Sequence, residues 1–218
     1  MHTYQRFTTW ASAGTSTERA AFFSDAVFAI SLTLLAVEIK VPEVAGSDLS
    51  GALAQQVPQF LAYALSFAVI GAYWMAHHRL FALLRRFDAN LLRLNLLALL
   101  FVALIGYATG VLVRYGDEAA GVIVYAVAVT AIGAAQSALW VHAWRAGLMT
   151  DELDRDLYDY LRYRSLVVPL VFLLSIPVAL LDADAAKYCW LVILVVDLLL
   201  VAVYRTKGEP SRRVMEQS

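Results

Sequence analysis

Six stretches of this chain are each long and apolar enough to cross a lipid bilayer, at residues 20–41, 56–76, 91–113, 119–144, 163–181 and 186–204. A spanning helix needs roughly 20 apolar residues to traverse about 30 Å of hydrocarbon. Composition agrees with that reading. Hydrophobic residues make up 61% and charged residues 16%, where a soluble domain carries about a quarter charged, and the mean hydropathy is +0.66. The runs occupy most of the 218 residues and leave only short polar joins. The expected fold is therefore an all-α membrane protein with six transmembrane helices, and residues 1–218 read as one membrane domain.

The joins carry charge unevenly. Those around 77–90 and 145–162 are rich in arginine, whereas those around 42–55, 114–118 and 182–185 are short and acidic. Of the 17 Lys and Arg residues, only Lys40, Arg114 and Lys187 fall on one side of the six-span topology, and the other 14 fall on the opposite side. The positive-inside rule then puts both termini in the cytoplasm of a multi-pass cell-membrane protein. Within the second arginine-rich join, 150–162 predicts a short helical extension into the fifth span, with Thr150 as N-cap and an Asp151–Arg155 pair one turn apart.

Several classes are excluded by the same residues. A net charge of -1 offers no basic stripe to neutralise phosphates, so no nucleic acid partner is expected. Cys189 is the single cysteine, which rules out an intrachain disulfide and a thiolate zinc site. Residues 1–18 are mostly polar and precede a long apolar run, so no cleaved signal peptide is predicted. No phosphate loop, G-x-S-x-G or H-E-x-x-H pattern occurs, and the chain does not read as an enzyme.

The first span is the most informative. Its polar residues sit at the cytoplasmic end, as Arg19, Phe23, Ser24 and Asp25, and the apolar run Ala26–Val37 follows. At about 100° per residue, Ile30, Leu34 and Val37 share one narrow face with Thr33 at its edge, while Asp25 points well away from Ile30. A helical wheel does not distinguish a pore face from a packing face. These residues carry a resemblance to the transmembrane protein 175 family of potassium-permeable channels, in its bacterial single-repeat form. Arg19, Phe23, Ser24 and Asp25 stand as that family's R-x-x-x-F-S-D signature, Glu38 and Pro42 close the helix, and further similarity lies at Trp74–Phe81 and Asn95–Leu97.

The resemblance implies a homotetramer in the bilayer, with the first helix of each subunit lining a central pore. It implies that Ile30 forms an apolar constriction with Leu34 and Val37 above it, and that Thr33 holds a conserved hydroxyl position. Potassium and other monovalent cations would permeate, potassium weakly preferred over sodium, and no cofactor is expected beyond the permeant potassium ion. Arg19, Phe23, Ser24, Asp25, Trp74, His77, His78 and Asn95 would form a polar network that fixes the first helix. Late in the third span this chain has Gly106-Tyr107 and then Gly110, from which a straighter backbone and ordinary small-residue packing within the chain are expected.

Other residues keep two readings. The Thr33 hydroxyl either faces the pore or bonds a backbone carbonyl one turn back. Asp25 with His77 and His78 suggests a metal site, yet adjacent histidines point about 100° apart on a helix and make a poor ligand pair. Asp197, a lone acid in the sixth span, is either a proton or ion site or a hydrogen-bond partner for a neighbouring helix. Pro169 and Pro177 are expected to serve packing in the fifth span. The rival function is a secondary transporter or proton-coupled carrier, although no pair of interrupted helices appears in two related halves.

Overall fold

A computed structural model describes residues 17–37, 39–43 and 49–192 of the chain. Its helices are α1 (Thr17–Val37), α2 (Leu49–Gln55), α3 (Val57–Ala82), α4 (Ala89–Ala103), α5 (Ile105–Tyr115), α6 (Ala119–Arg145), α7 (Arg155–Ala179) and α8 (Ala183–Cys189). Five stretches among the described residues are long and apolar enough to span a membrane: α1, α3, α4 with α5, α6 and α7. The expected sixth span begins in α8, but most of it, with Asp197 and Glu38, lies outside the described residues.

Short-range chemistry sets where these helices begin. Pro58 stands in the first turn of α3, where its missing amide costs nothing. Asp88, Asp154 and Asp182 cap α4, α7 and α8, each accepting from a backbone amide of the first turn. The cap of α7 corrects the expected start at Thr150. Residues 148–150 instead run beside the end of α3, with a bridge between Leu84 and Met149 and the Thr150 amide donating to the Leu83 carbonyl at 2.9 Å. That pairing holds Thr150 out of the helix. Asp151 consequently pairs with Arg85, and Arg155 turns to Asp159, one turn into α7.

The third span differs from expectation too. The helix is interrupted at Leu104, between α4 and α5, and an ideal Cβ placed on Gly106 or Gly110 meets nothing within 4 Å among the described residues. The glycine pair therefore does not bring two described helices together.

The centre of the bundle is α6, which packs on α4, α5 and α7. Its glycines and alanines let neighbouring backbones approach closely. At Gly133 a Cβ would come within 2.4 Å of the Pro169 ring and 2.8 Å of the Tyr73 hydroxyl. Buried polar groups here are satisfied between helices. The Tyr73 hydroxyl donates to the Val129 carbonyl at 2.9 Å, and Gln136 donates to the Tyr73 carbonyl at 3.1 Å. Ser66, Thr109 and Tyr125 form a second hydroxyl cluster at 2.8 and 3.1 Å.

Packing at Gly133 leaves no room for a methyl group. We expect Gly133→Ala to cost about 1–3 kcal/mol by overpacking, read as a lower melting temperature in detergent. Gly71→Ala, where a Cβ meets nothing within 4 Å, should be neutral or slightly stabilising in the same assay.

Candidate functional site

The two sides of α1 have different surroundings. Ser24, Phe28, Ser31 and Leu35 recur at helical spacing and are buried against α3, α4 and α5. The opposite stripe is open: Ile30, Leu34 and Val37 are 57%, 55% and 71% exposed. These three therefore point away from the core of the described helices, and that face is left open among the described residues. Thr33 is exposed at its edge and donates its hydroxyl to the Ile30 carbonyl at 2.9 Å, three residues back.

At its N-terminal end, α1 is held by a directed chain of hydrogen bonds. Ser24 donates to the Ala20 carbonyl at 2.8 Å, so its oxygen is left to accept from the Asn95 amide nitrogen at 2.9 Å. The Asn95 amide oxygen lies 2.8 Å from His77 Nε2, which must then carry the proton. Ser24, Asn95 and His77 are all buried. His77 is further fixed by stacking on Phe81, with ring centroids 4.2 Å apart, and by Phe28 of α1 at 5.4 Å. One residue along, Asp25 accepts from the Trp74 indole at 2.8 Å.

The remaining expected members are placed differently. His78 is exposed and lies against Trp74, ring centroids 5.6 Å apart, so His77 and not His78 contacts Asn95. Phe23 is exposed; Arg19, in the first turn of α1, is exposed but not without an interaction. Among the described residues, no group of three or more His, Cys, Asp or Glu side chains comes together as a metal site.

One pair at this end was not foreseen. His142, near the end of α6, places Nε2 at 2.9 and 3.1 Å from the two Asp88 oxygens. Burial pushes the Asp88 carboxyl up, but the Leu91 amide and the His142 imidazole outweigh that and hold it below its ordinary range. Asp88 as an N-cap is legible from the Asp-Ala-Asn-Leu start of α4. Its partner, 54 residues away, is not.

Comparison with known proteins follows this geometry. Residues 19–105 match the family described as the endosomal/lysosomal potassium channel TMEM175. A potassium channel of Streptomyces collinus is 39% identical over 171 residues, covering 76% of this chain and 83% of the relative. A potassium channel of Chamaesiphon minutus is 37% identical over 150 residues, covering 66% and 74%. The fold is similar to the crystal structure of a lysosomal potassium-selective channel TMEM175 homolog from that organism, with a TM-score of 0.73, 29% identity, and coverage of 84% of this chain and 97% of that one.

Two outcomes follow from the anchor. Asn95→Ala leaves the buried His77 N–H without its acceptor, at about 1–3 kcal/mol, and removes the donor to Ser24, which keeps its own bond to the Ala20 carbonyl. We expect a clear drop in melting temperature and faster amide exchange along α1, whereas His78→Ala should change neither. The depressed Asp88 carboxyl contributes stability that is present above the ordinary aspartate value of about 3.9 and is lost as pH falls through its own lower value. Asp88→Asn keeps a capping oxygen but removes this charge, so the stability gap between variant and parent should close as pH drops below that range.

Proposed function

This chain belongs to the TMEM175 family, and from that premise we propose that it is a potassium-permeable cation channel, weakly selective for potassium over sodium. Four copies assemble in the cell membrane with both termini in the cytoplasm, and their α1 helices surround one axial pore. The observation that carries this reading is the divided surface of α1. One stripe is pinned to the protomer through Ser24 and Phe28, and the opposite stripe of Ile30, Leu34 and Val37 has no partner within the described chain. Brought together around an axis, four such stripes make apolar rings, with Ile30 as the constriction.

Selectivity in such a pore comes from the cost of shedding water. The carbonyl-lined potassium filter needs a TVGYG-type loop, which the sequence lacks. An apolar ring offers no oxygen to replace a lost water, so it favours the ion that holds its shell more loosely, and potassium does so relative to sodium. The preference is modest because no coordinating site rewards the correct radius. When narrow, the same ring closes by dewetting. The Thr33 hydroxyl, engaged with the Ile30 carbonyl, contributes to the constriction by stiffening that turn of α1 and not as a free ligand.

Bilayer recording of purified protein tests this directly. Ile30→Ala widens the ring and Ile30→Asn makes it polar, and each should raise unitary conductance and bring the potassium-to-sodium permeability ratio toward one. Permeation identical to the parent in both variants would overturn the placement of Ile30 at the constriction.

A further inference from the structure

A cavity of about 410 Å³ lies between α1, α3 and α5, at the end of the bundle away from the Asn95 hub. Leu35, from the buried stripe of α1, and Ile39, just past the end of that helix, form one side. The cavity therefore backs onto α1 about three turns beyond Ser24. Val113 of α5 adds a further apolar wall, and beside it Gly110 leaves space, since a Cβ placed there meets nothing within 4 Å.

The polar groups of the lining are unused donors. Gln59 and Tyr63 of α3 and Arg114 of α5 carry N–H or O–H groups, and among the described residues none of these three side chains makes an ion pair or a hydrogen bond. The Arg114 guanidinium lies over the Tyr115 ring at 5.7 Å, which leaves its N–H fork unengaged. No described lining residue is acidic, so the site repels a cation and suits an anion rich in acceptors. Arg114 is exposed, whereas Thr109, about 7.5 Å further down the same helix, is buried. The charge thus stands at the mouth. The Thr109 hydroxyl at the inner end is already committed, to the Ile105 carbonyl and to Ser66, each at 2.8 Å.

We propose that this cavity binds a single-chain carboxylate amphiphile. Its carboxylate sits on Arg114, with Gln59 and Tyr63 as further donors, and its chain packs on Leu35, Ile39 and Val113. A guanidinium fork matches the two oxygens of a carboxylate in parallel bonds. The apolar walls reward a hydrocarbon chain that a small inorganic anion lacks. The volume lies toward the low end of the roughly 300–1,000 Å³ usual for small-molecule sites, which suits one chain and not the two of a phospholipid. Bound there, the ligand braces the C-terminal third of α1, which the Asn95 hub does not reach.

Photolabelling of the full-length protein in zwitterionic nanodiscs with a diazirine-bearing decanoate tests the site. Label should fall on the segments carrying Leu35, Ile39 and Val113, and excess decanoate should displace it where decanol and acetate do not. Arg114→Gln should weaken displacement by decanoate at least about tenfold, and Arg114→Lys, which keeps the charge but not the fork, by less. Gly110→Leu, which fills the cavity, should abolish labelling with Arg114 still present. Arg114 has no described ion pair to lose, so the melting temperature of Arg114→Gln should match that of the parent, and its labelling then reports on binding and not on folding. Displacement by decanol as strong as by decanoate would show that charge plays no part. Displacement by phosphatidylglycerol in the nanodisc as strong as by decanoate would assign the site to a phospholipid. Either result would overturn the proposal, as would label spread over the lipid-facing surface and unchanged in Arg114→Gln. No readout uses ion flux, so the site stands or fails apart from the placement of Ile30 at the constriction.

Discussion

Asn95 bonds in two directions at once, and through it three helices take a common position at one depth of the bundle. Its amide nitrogen donates to Ser24 on α1 and its oxygen accepts from the His77 Nε2–H of α3. In an apolar surrounding an amide left half-satisfied is expensive, so this geometry resists sliding or rotation of any of the three helices. The constraint matters most for α1. Only 22% of its apolar window is buried, against 50% for α6, and dispersion contacts alone leave such a helix weakly located. Asp25 on Trp74 and Phe28 beside His77 extend the grip by a further turn.

The bundle is built on an opposite principle around α6. There the glycines and alanines admit close backbones, and the bonds among Tyr73, Val129 and Gln136 sit between surfaces already in contact. Pro169 turns its ring into the space that Gly133 leaves, which makes the proline a packing element. The aromatic cluster of Tyr125, Phe172 and Trp190, with centroids 4.8 to 5.8 Å apart, then ties the end of α8 to α6 and α7. One part of the molecule is thus held by volume and the other by a few directed bonds. That division leaves a whole face of α1 available.

How much of this was legible depends on the range of the interaction. Hydropathy marked the spans because crossing a bilayer is a property of each segment taken singly. Helix starts were less legible. Thr150 and Asp154 are both competent caps, and the choice between them was made by backbone pairing with Leu83, far away in sequence. The 100° step along a helix predicted that His77 and His78 would diverge, but only the position of Asn95 decides which of them is inside. The same limit hid the pairing of Asp88 with His142, and it hid the interruption at Leu104, where no proline stands to announce it. Periodicity did place Ile30, Leu34 and Val37 on one face. It could not say that the face is open, since exposure belongs to the assembled bundle.

If α1 lines a pore as proposed, an apolar constriction explains why the anchor lies outside it. A ring of isoleucine side chains has no hydrogen bonds of its own to define its radius, and a change on the order of an ångström separates a wetted ring from a dry one. Polar groups placed in the ring would define the radius but would also bind water and ions, and the preference drawn from dehydration would be lost. The directed contacts therefore have to act on the helix elsewhere. Ser24 sits six residues before Ile30, less than two turns away, on the side of α1 that faces α4. A helix carries that position along its axis with little bending, so hydrogen bonds buried among α1, α3 and α4 fix the apolar surface that α1 leaves open among the described residues.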